Sequence, residues 1–177
     1  MTGMIFCTEY ETNLIGKLTL ASDGENIVGC WFENDRFFGD TVAGPFVPCN
    51  DLPVFRTAEK WLDRYFAGGR PCIDELHLKP NGTAFRYRVW AKLREIPYGT
   101  TVTYGDIARQ LEREGGGRVS AQAIGGAVGR NPLCVIVPCH RVMGAGGNLT
   151  GFGGGIDTKI KLLELEGVDT TEFHRPR

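Results

Sequence analysis

One heptapeptide, Ile136-Val137-Pro138-Cys139-His140-Arg141-Val142, restricts this chain more than any other stretch. The apolar run from Leu133 to Val137 reads as a strand that must stop at Pro138, because proline has a fixed φ and no N–H for a neighbouring strand. Adjacent side chains on an extended strand point to opposite faces. His140 can therefore take a proton from Cys139 only where the chain bends or a water bridges the two. The thiolate is the reactive form of cysteine, and a nearby base or cation raises its population. Two readings of the pair stand at this point: a nucleophile beside its base, or a buried cysteine that ends a strand.

Around this stretch the chain divides in two. Residues 4–10, 17–22 and 27–32 are short β-prone runs separated by Asn13, Gly16 and Asp23-Gly24, which predicts a small antiparallel sheet. Residues 37–50, rich in glycine and proline, read as loop. A helix fits 53–67, with Pro53 in its first turn, Gly68-Gly69 at its end, and Val54, Ala58, Trp61, Leu62 and Tyr65 as its apolar stripe. This part holds no polar constellation and reads as scaffold. Residues 79–83, Lys-Pro-Asn-Gly-Thr, are the linker, giving domains at 1–81 and 82–177.

Beyond the linker, Thr83 or Ala84 opens a helix through Phe85, Val89, Trp90 and Leu93, and a second begins near Thr103. Glu114-Gly115-Gly116-Gly117 breaks that one, and Ser120 is placed to N-cap a third over 121–128. Helix, glycine-rich turn, helix is the helix-turn-helix pattern. The third helix carries Gly125 and Gly126 internally, each costing about 0.8–1 kcal/mol relative to alanine. Its stripped surface admits another backbone closely, either a neighbouring element of the protein or a narrow groove of DNA. A loop with seven glycines in twelve residues follows Cys139 over 144–155. The last helix starts near Ile156 and ends at Gly167, with Ile156, Ile160 and Leu163 on one face. Glu166 borders that stripe in the last turn, where the helix dipole disfavours a carboxylate.

Composition narrows the setting. The 177 residues are 23% charged and 42% hydrophobic, ordinary for a water-soluble protein. No apolar run reaches membrane-spanning length and Met1-Thr2-Gly3-Met4 begins no signal peptide, so a cytoplasmic location is expected. Six scattered cysteines without a CxxC pair point to thiols, not to a disulfide framework or zinc knuckle. Net charge is −1, yet residues 83–177 carry 13 Lys and Arg against 9 Asp and Glu. Any nucleic-acid surface belongs in that half.

Pro138-Cys139-His140-Arg141-Val142 resembles the signature of the O6-alkylguanine-DNA alkyltransferases. The resemblance runs from Phe85 to Gly167 through Tyr104-Gly105-Asp106-Ile107-Ala108, Ala123-Ile124-Gly125-Gly126-Ala127, Asn131-Pro132 and 151–155. It implies an α+β protein: a small antiparallel-sheet and helix domain, ribonuclease H-like, then a mainly helical domain with a helix-turn-helix and an active-site turn. It implies direct-reversal repair, in which the alkyl group of O6-alkylguanine in double-stranded DNA, and of O4-alkylthymine, passes once and irreversibly to Cys139. By the same resemblance Glu166 hydrogen-bonds His140, Tyr104 donates to the flipped base, and Asn131 braces the turn before the active-site strand. Val142 offers its carbonyl to the base, while Phe152 and Gly153 cover it. Ala121, Gln122, Ala123, Gly125 and Arg130 face the DNA, in the minor groove, where most helix-turn-helix proteins use the major groove. Gln122 stands where many members carry arginine, and Phe152 where many carry tyrosine. No cofactor and no metal are expected, since His77, His140 and His174 lack a cysteine spacing for zinc, and a monomer is expected. Two alternatives are a cysteine hydrolase and a non-catalytic binder of alkylated DNA.

Overall fold

The structure, a computed structural model, describes residues 3–115 and 117–176. Gly116, in the expected helix break, lies outside the described residues, as do Met1, Thr2 and Arg177. Two compact units are present: Met1–Asn81 with Pro132–Ile136, and Gly82–Asn131 with Val137–Arg177.

In the first unit β1 (Ile5–Thr12), β2 (Gly16–Ser22), β3 (Ile27–Phe32) and β4 (Phe46–Pro48) form one sheet in the order β3-β2-β1-β4. β1–β2 and β2–β3 are antiparallel as the sequence suggests, but β4 runs parallel to β1. The sheet is therefore mixed. β4 falls inside the stretch read as loop, because three residues ending in proline carry no period-two signal. Ile5, Ala21, Val28 and Trp31 make a core against which Val42 and Phe46 pack. Trp31 folds back over Gly29, where a Cβ would sit 2.0 Å from the indole ring.

α1 (Pro53–Phe66) begins without a side-chain cap, with Pro53 at its start, and buries Phe55, Ala58, Trp61, Leu62 and Tyr65. Phe55 replaces the expected Val54 in the stripe, since it lies three residues before Ala58 and seven before Leu62. All of β3 is buried, and its outer edge is covered by single parallel bridges from Ile27 to Leu78 and from Cys30 to Leu133. An edge so covered offers no template to other chains.

The expected strand at 133–137 is not one. Leu133 makes its one bridge to Cys30, and the chain then turns tightly, with Ile136 N–H donating to Cys134 O at 2.8 Å. Val135 takes φ 71°, the one non-glycine described at positive φ and a β-branched residue, for which this conformation is costly. Every residue from Asn131 to Met143 is buried. A run buried on all sides looks apolar whether it is strand or turn, and periodicity cannot separate the two.

The second unit is mainly helical. α2 (Ala84–Arg94) is N-capped by Thr83, which accepts from Arg86 N–H. α3 (Tyr104–Arg113) starts with a capping box between Thr103 and Asp106, and Ser120 caps α4 (Ala121–Gly129). Trp90 Nε1 donates to Ala127 O at 2.9 Å and ties α2 to α4. β5 (Val102–Thr103) pairs in parallel with β6 (Val142–Met143), which binds the start of α3 to the turn carrying Cys139. α5 (Ile156–Leu165) ends in a Schellman motif: Gly167, at φ 81°, donates to Glu164 O and Val168 to Leu163 O. Val168 also packs against the cluster of Met143, Leu149 and Leu163. Among the described residues no helix is long and apolar enough to cross a membrane, and no group of three His, Cys, Asp or Glu side chains is placed to hold a metal ion.

Candidate functional site

Cys139 opens a single 3-10 turn, Cys139–Arg141, and not the end of a strand. Pro138 precedes it at φ −80° and ψ 66°, and Cys139 N–H donates to Val137 O at 2.8 Å. Asn131 Nδ2 donates to the same Val137 carbonyl at 2.9 Å. The buried asparagine thus holds the backbone where it enters the turn. Cys139 is 6% exposed and His140 is fully buried.

Glu166, the C-cap residue of α5, brings its carboxylate to this turn. Oε2 lies 2.6 Å from His140 Nε2. Arg141 donates from Nε to Oε1 at 2.7 Å and from Nη2 to Oε2 at 3.0 Å. Gly99 N–H adds a bond to Oε1 at 3.1 Å. Gly99 sits at φ 74°, and a Cβ on it would approach the Glu166 carbonyl to 3.0 Å, so the loop between α2 and β5 needs glycine there. Tyr98 Oη donates to Leu165 O at 3.3 Å and satisfies one carbonyl at the end of α5.

Burial holds the His140 imidazole below its usual pKa, against an upward pull from Glu166. Arg141 and Lys159 push it down further. Lys159 is itself fully buried on α5, donating to Val142 O at 2.6 Å and to Thr150 O at 3.3 Å. Desolvation lowers its ammonium pKa to about 8, while the Cys139 charge acts in the opposite sense. Tyr104, the first residue of α3, donates its phenol to the same Thr150 carbonyl at 3.3 Å. Burial raises the Tyr104 pKa, and the Cys139 charge raises it too. The carbonyls of Cys139 and Val142 already accept from Val142 N–H and Lys159 respectively, and each keeps a second lone pair. Phe152 is half-buried beside Lys159, whose Nζ stands 6.0 Å from the ring centroid.

Cys139, His140, Glu166, Asn131, Val142, Tyr104 and Phe152 are thus gathered into one neighbourhood. Ala121, Gln122 and Ala123 are all exposed in the first turn of α4, and Arg130 is its C-cap residue. Gly125 joins the two groups, since a Cβ there would meet the Tyr104 ring at 4.0 Å. Gly153 is exposed in the turn that Gly155 N–H closes on Phe152 O. Sequence reasoning missed Lys159, Arg141 and Gly99. For Lys159 the signal was present: it lies three residues after Ile156 and four before Leu163, inside the stripe that singled out Glu166.

A helix-turn-helix unit with a small-residue helix leading into a buried Cys–His–Glu cluster defines a DNA-binding protein with a thiol centre. Residues 84–168 match the model of the 6-O-methylguanine DNA methyltransferase DNA binding domain, and residues 5–80 that of the ribonuclease-like domain. The chain is 40% identical to the methylated-DNA--protein-cysteine methyltransferase of Haemophilus influenzae, over 95% of this chain and 92% of that one. It is 48% identical to the protein of that name from Mycolicibacterium paratuberculosis, over 89% and 92%. Among solved structures, Mycobacterium tuberculosis OGT in complex with DNA superposes with a TM-score of 0.77 at 41% identity, over 92% of this chain and 93% of that one. This chain belongs to the 6-O-methylguanine DNA methyltransferase family.

Proposed function

We propose that this protein repairs DNA by direct reversal, moving the alkyl group of O6-alkylguanine, and of O4-alkylthymine, onto its own Cys139. The observation that carries the reading is the junction of α4 and the Cys139 turn. Gly126 and Gly129 are bare, yet a Cβ on either would meet nothing within 4 Å inside the protein. Internal packing does not require these glycines, which favours a partner outside the molecule, and double-stranded DNA fits. Residues 1–81 act as scaffold and 82–177 as the DNA-binding and alkyl-transfer domain, working as a monomer in the cytoplasm.

The lesion lies inside the duplex, so the nucleotide must be flipped out to reach the thiol. α4 enters the minor groove through Ala121, Ala123 and Gly125, with Arg130 a further DNA contact, and Gln122 fills the space the base leaves. The exocyclic amine of the base donates to the carbonyls of Cys139 and Val142, and Phe152 and Gly153 cover it. Because Nε2 of His140 bonds Glu166, proton exchange with the thiol runs through Nδ1, by way of a bridging water. The thiolate attacks the alkyl carbon, the C–S bond forms as the C–O6 bond breaks, and the electron pair goes to guanine. Tyr104 donates to the ring, toward N3, as negative charge develops. The thioether is stable, so each molecule acts once.

Incubation with radiolabelled methylated DNA, followed by peptide mapping, should give one label per molecule, on the peptide holding Cys139. A cysteine hydrolase would turn over excess substrate, and a non-catalytic binder would retain no label.

Two variants test the α4 assignment. Gln122→Ala should slow repair of duplex DNA but leave reaction with the free base O6-benzylguanine unchanged, because flipping costs a few kcal/mol only in the duplex. Equal losses on both substrates would place Gln122 in the chemistry or the fold. Gly126→Leu should raise thermal stability, since leucine gains up to about 0.8 kcal/mol over glycine in a helix. The same variant should weaken DNA binding by obstructing a groove about 6 Å wide. Unchanged affinity would remove α4 from the groove.

A further inference from the structure

We infer that Arg141 is a positioning residue for the Cys139 relay: it locks the Glu166 carboxylate and offsets its charge, so that His140 rests neutral and ready to take the thiol proton. The inference rests on the reading of Cys139 as alkyl acceptor. It goes beyond that reading by giving the arginine of the heptapeptide a task in the chemistry.

A carboxylate has about four lone-pair sites, two on each oxygen. In Glu166 all four are filled: Oε1 by Arg141 Nε and Gly99 N, Oε2 by His140 Nε2 and Arg141 Nη2. Arg141 supplies half of them through a planar fork, which fixes the carboxylate against rotation. The guanidinium is held in turn, with Nη1 donating to Ile96 O at 2.7 Å and the Tyr98 ring centroid 5.7 Å from Cζ. Arg141 is 9% exposed, so little solvent screens its charge.

The groups that bear on His140 are Glu166 and Lys159 from α5, Arg141 from its own turn, and the adjoining Cys139; α3 brings the Tyr104 phenol to the same neighbourhood. An unpaired buried carboxylate would draw a proton onto the imidazole and make it imidazolium. An imidazolium has no lone pair and cannot accept from the thiol. Arginine does not give up its proton in proteins, so its charge on Glu166 is constant at all working pH values. With Glu166 so compensated, His140 stays neutral, keeps the Nε2 proton on Oε2, and presents Nδ1 as acceptor. As the S–H bond breaks, its proton ends on Nδ1, leaving a thiolate and an imidazolium that Glu166 stabilises.

Removing the cation raises the first proton loss of the Cys139–His140 pair, whichever of the two gives up the proton, because a nearby positive charge favours the less protonated form. In DNA-free protein that step is followed by thiolate absorbance together with the ring NMR signals of His140, the absorbance taken as the difference between each protein and its Cys139→Ser counterpart. Single-turnover methyl transfer is measured alongside. Arg141→Met should move the titration midpoint up by roughly one pH unit or more. Arg141→Lys keeps the charge but loses the fork, so its midpoint should stay near that of the parent. Its plateau rate should fall on the order of tenfold to a hundredfold through misplacement of the relay.

A folded Arg141→Met with the parent midpoint would overturn the inference, and so would full-rate transfer by Arg141→Lys. If Arg141→Met does not fold, the Lys variant decides alone: a held midpoint with a reduced plateau supports positioning, and a parent-like plateau refutes it. Label found away from Cys139 in the parent would instead defeat the functional reading, while the titration would still judge Arg141.

Discussion

Cys139→Ser should bind methylated DNA as the parent does and accept no detectable methyl group. The substitution changes one atom in a buried position, so the turn and its bonds to Val137 and Glu166 are retained. What is lost is ionisation: a serine hydroxyl is scarcely deprotonated at neutral pH, whereas a thiol beside a base is. Peptide mapping decides the matter, and label on any residue of the serine variant would refute Cys139 as acceptor. Cys134 is the internal control. It is 3% exposed, and its thiol donates to the buried Asp35 carboxylate at 3.5 Å. Burial and a neighbouring negative charge both disfavour the thiolate, so Cys134 should stay unlabelled in every variant.

The second large effect concerns Lys159 and the stability of the parent with pH. Burial depresses its pKa from 10.5 to about 8 in the folded state. The unfolded chain therefore holds more protons between those values, and stability rises with pH across that window. The penalty is fully present below about pH 8 and disappears above the unfolded value. A shift of this size corresponds to about 3 kcal/mol. Urea unfolding of the parent and of Lys159→Met should give curves that diverge by that amount from neutral to strongly alkaline pH, with the parent the steeper. Parallel curves would mean that Lys159 is neutral or solvated in the folded protein.

What could be read in advance was local. Thr83, Thr103 and Ser120 cap their helices through bonds to residues three places on, and Gly167 closes α5 over a single turn. Short-range rules of this kind do not depend on the rest of the fold. Cys139 and His140 were marked by their motif, and Glu166 by its place on an apolar stripe.

What could not be read was made by pairing across long sequence separations. β5 and β6 contribute two residues each, too few for any periodicity, yet they bring Tyr104 beside the Cys139 turn. Leu133 to Val137 looked like a strand because composition cannot report the positive φ of Val135. Arg141 and Lys159 belong to residue types that usually lie at the surface, and nothing local in the sequence marks Arg141 as buried. Each is buried only because carbonyls and a carboxylate from other elements meet it.

The order of the chain and the partition of its mass do not coincide. Pro132–Ile136 follows α4 in sequence but is built into the sheet unit, where Cys30 N–H donates to Pro132 O and Cys134 N–H donates to Cys30 O. A gene split at the linker would not separate this protein into two self-sufficient modules. The later piece would carry Pro132, Leu133 and Cys134 without the edge they cover, and the earlier would leave β3 open along that side.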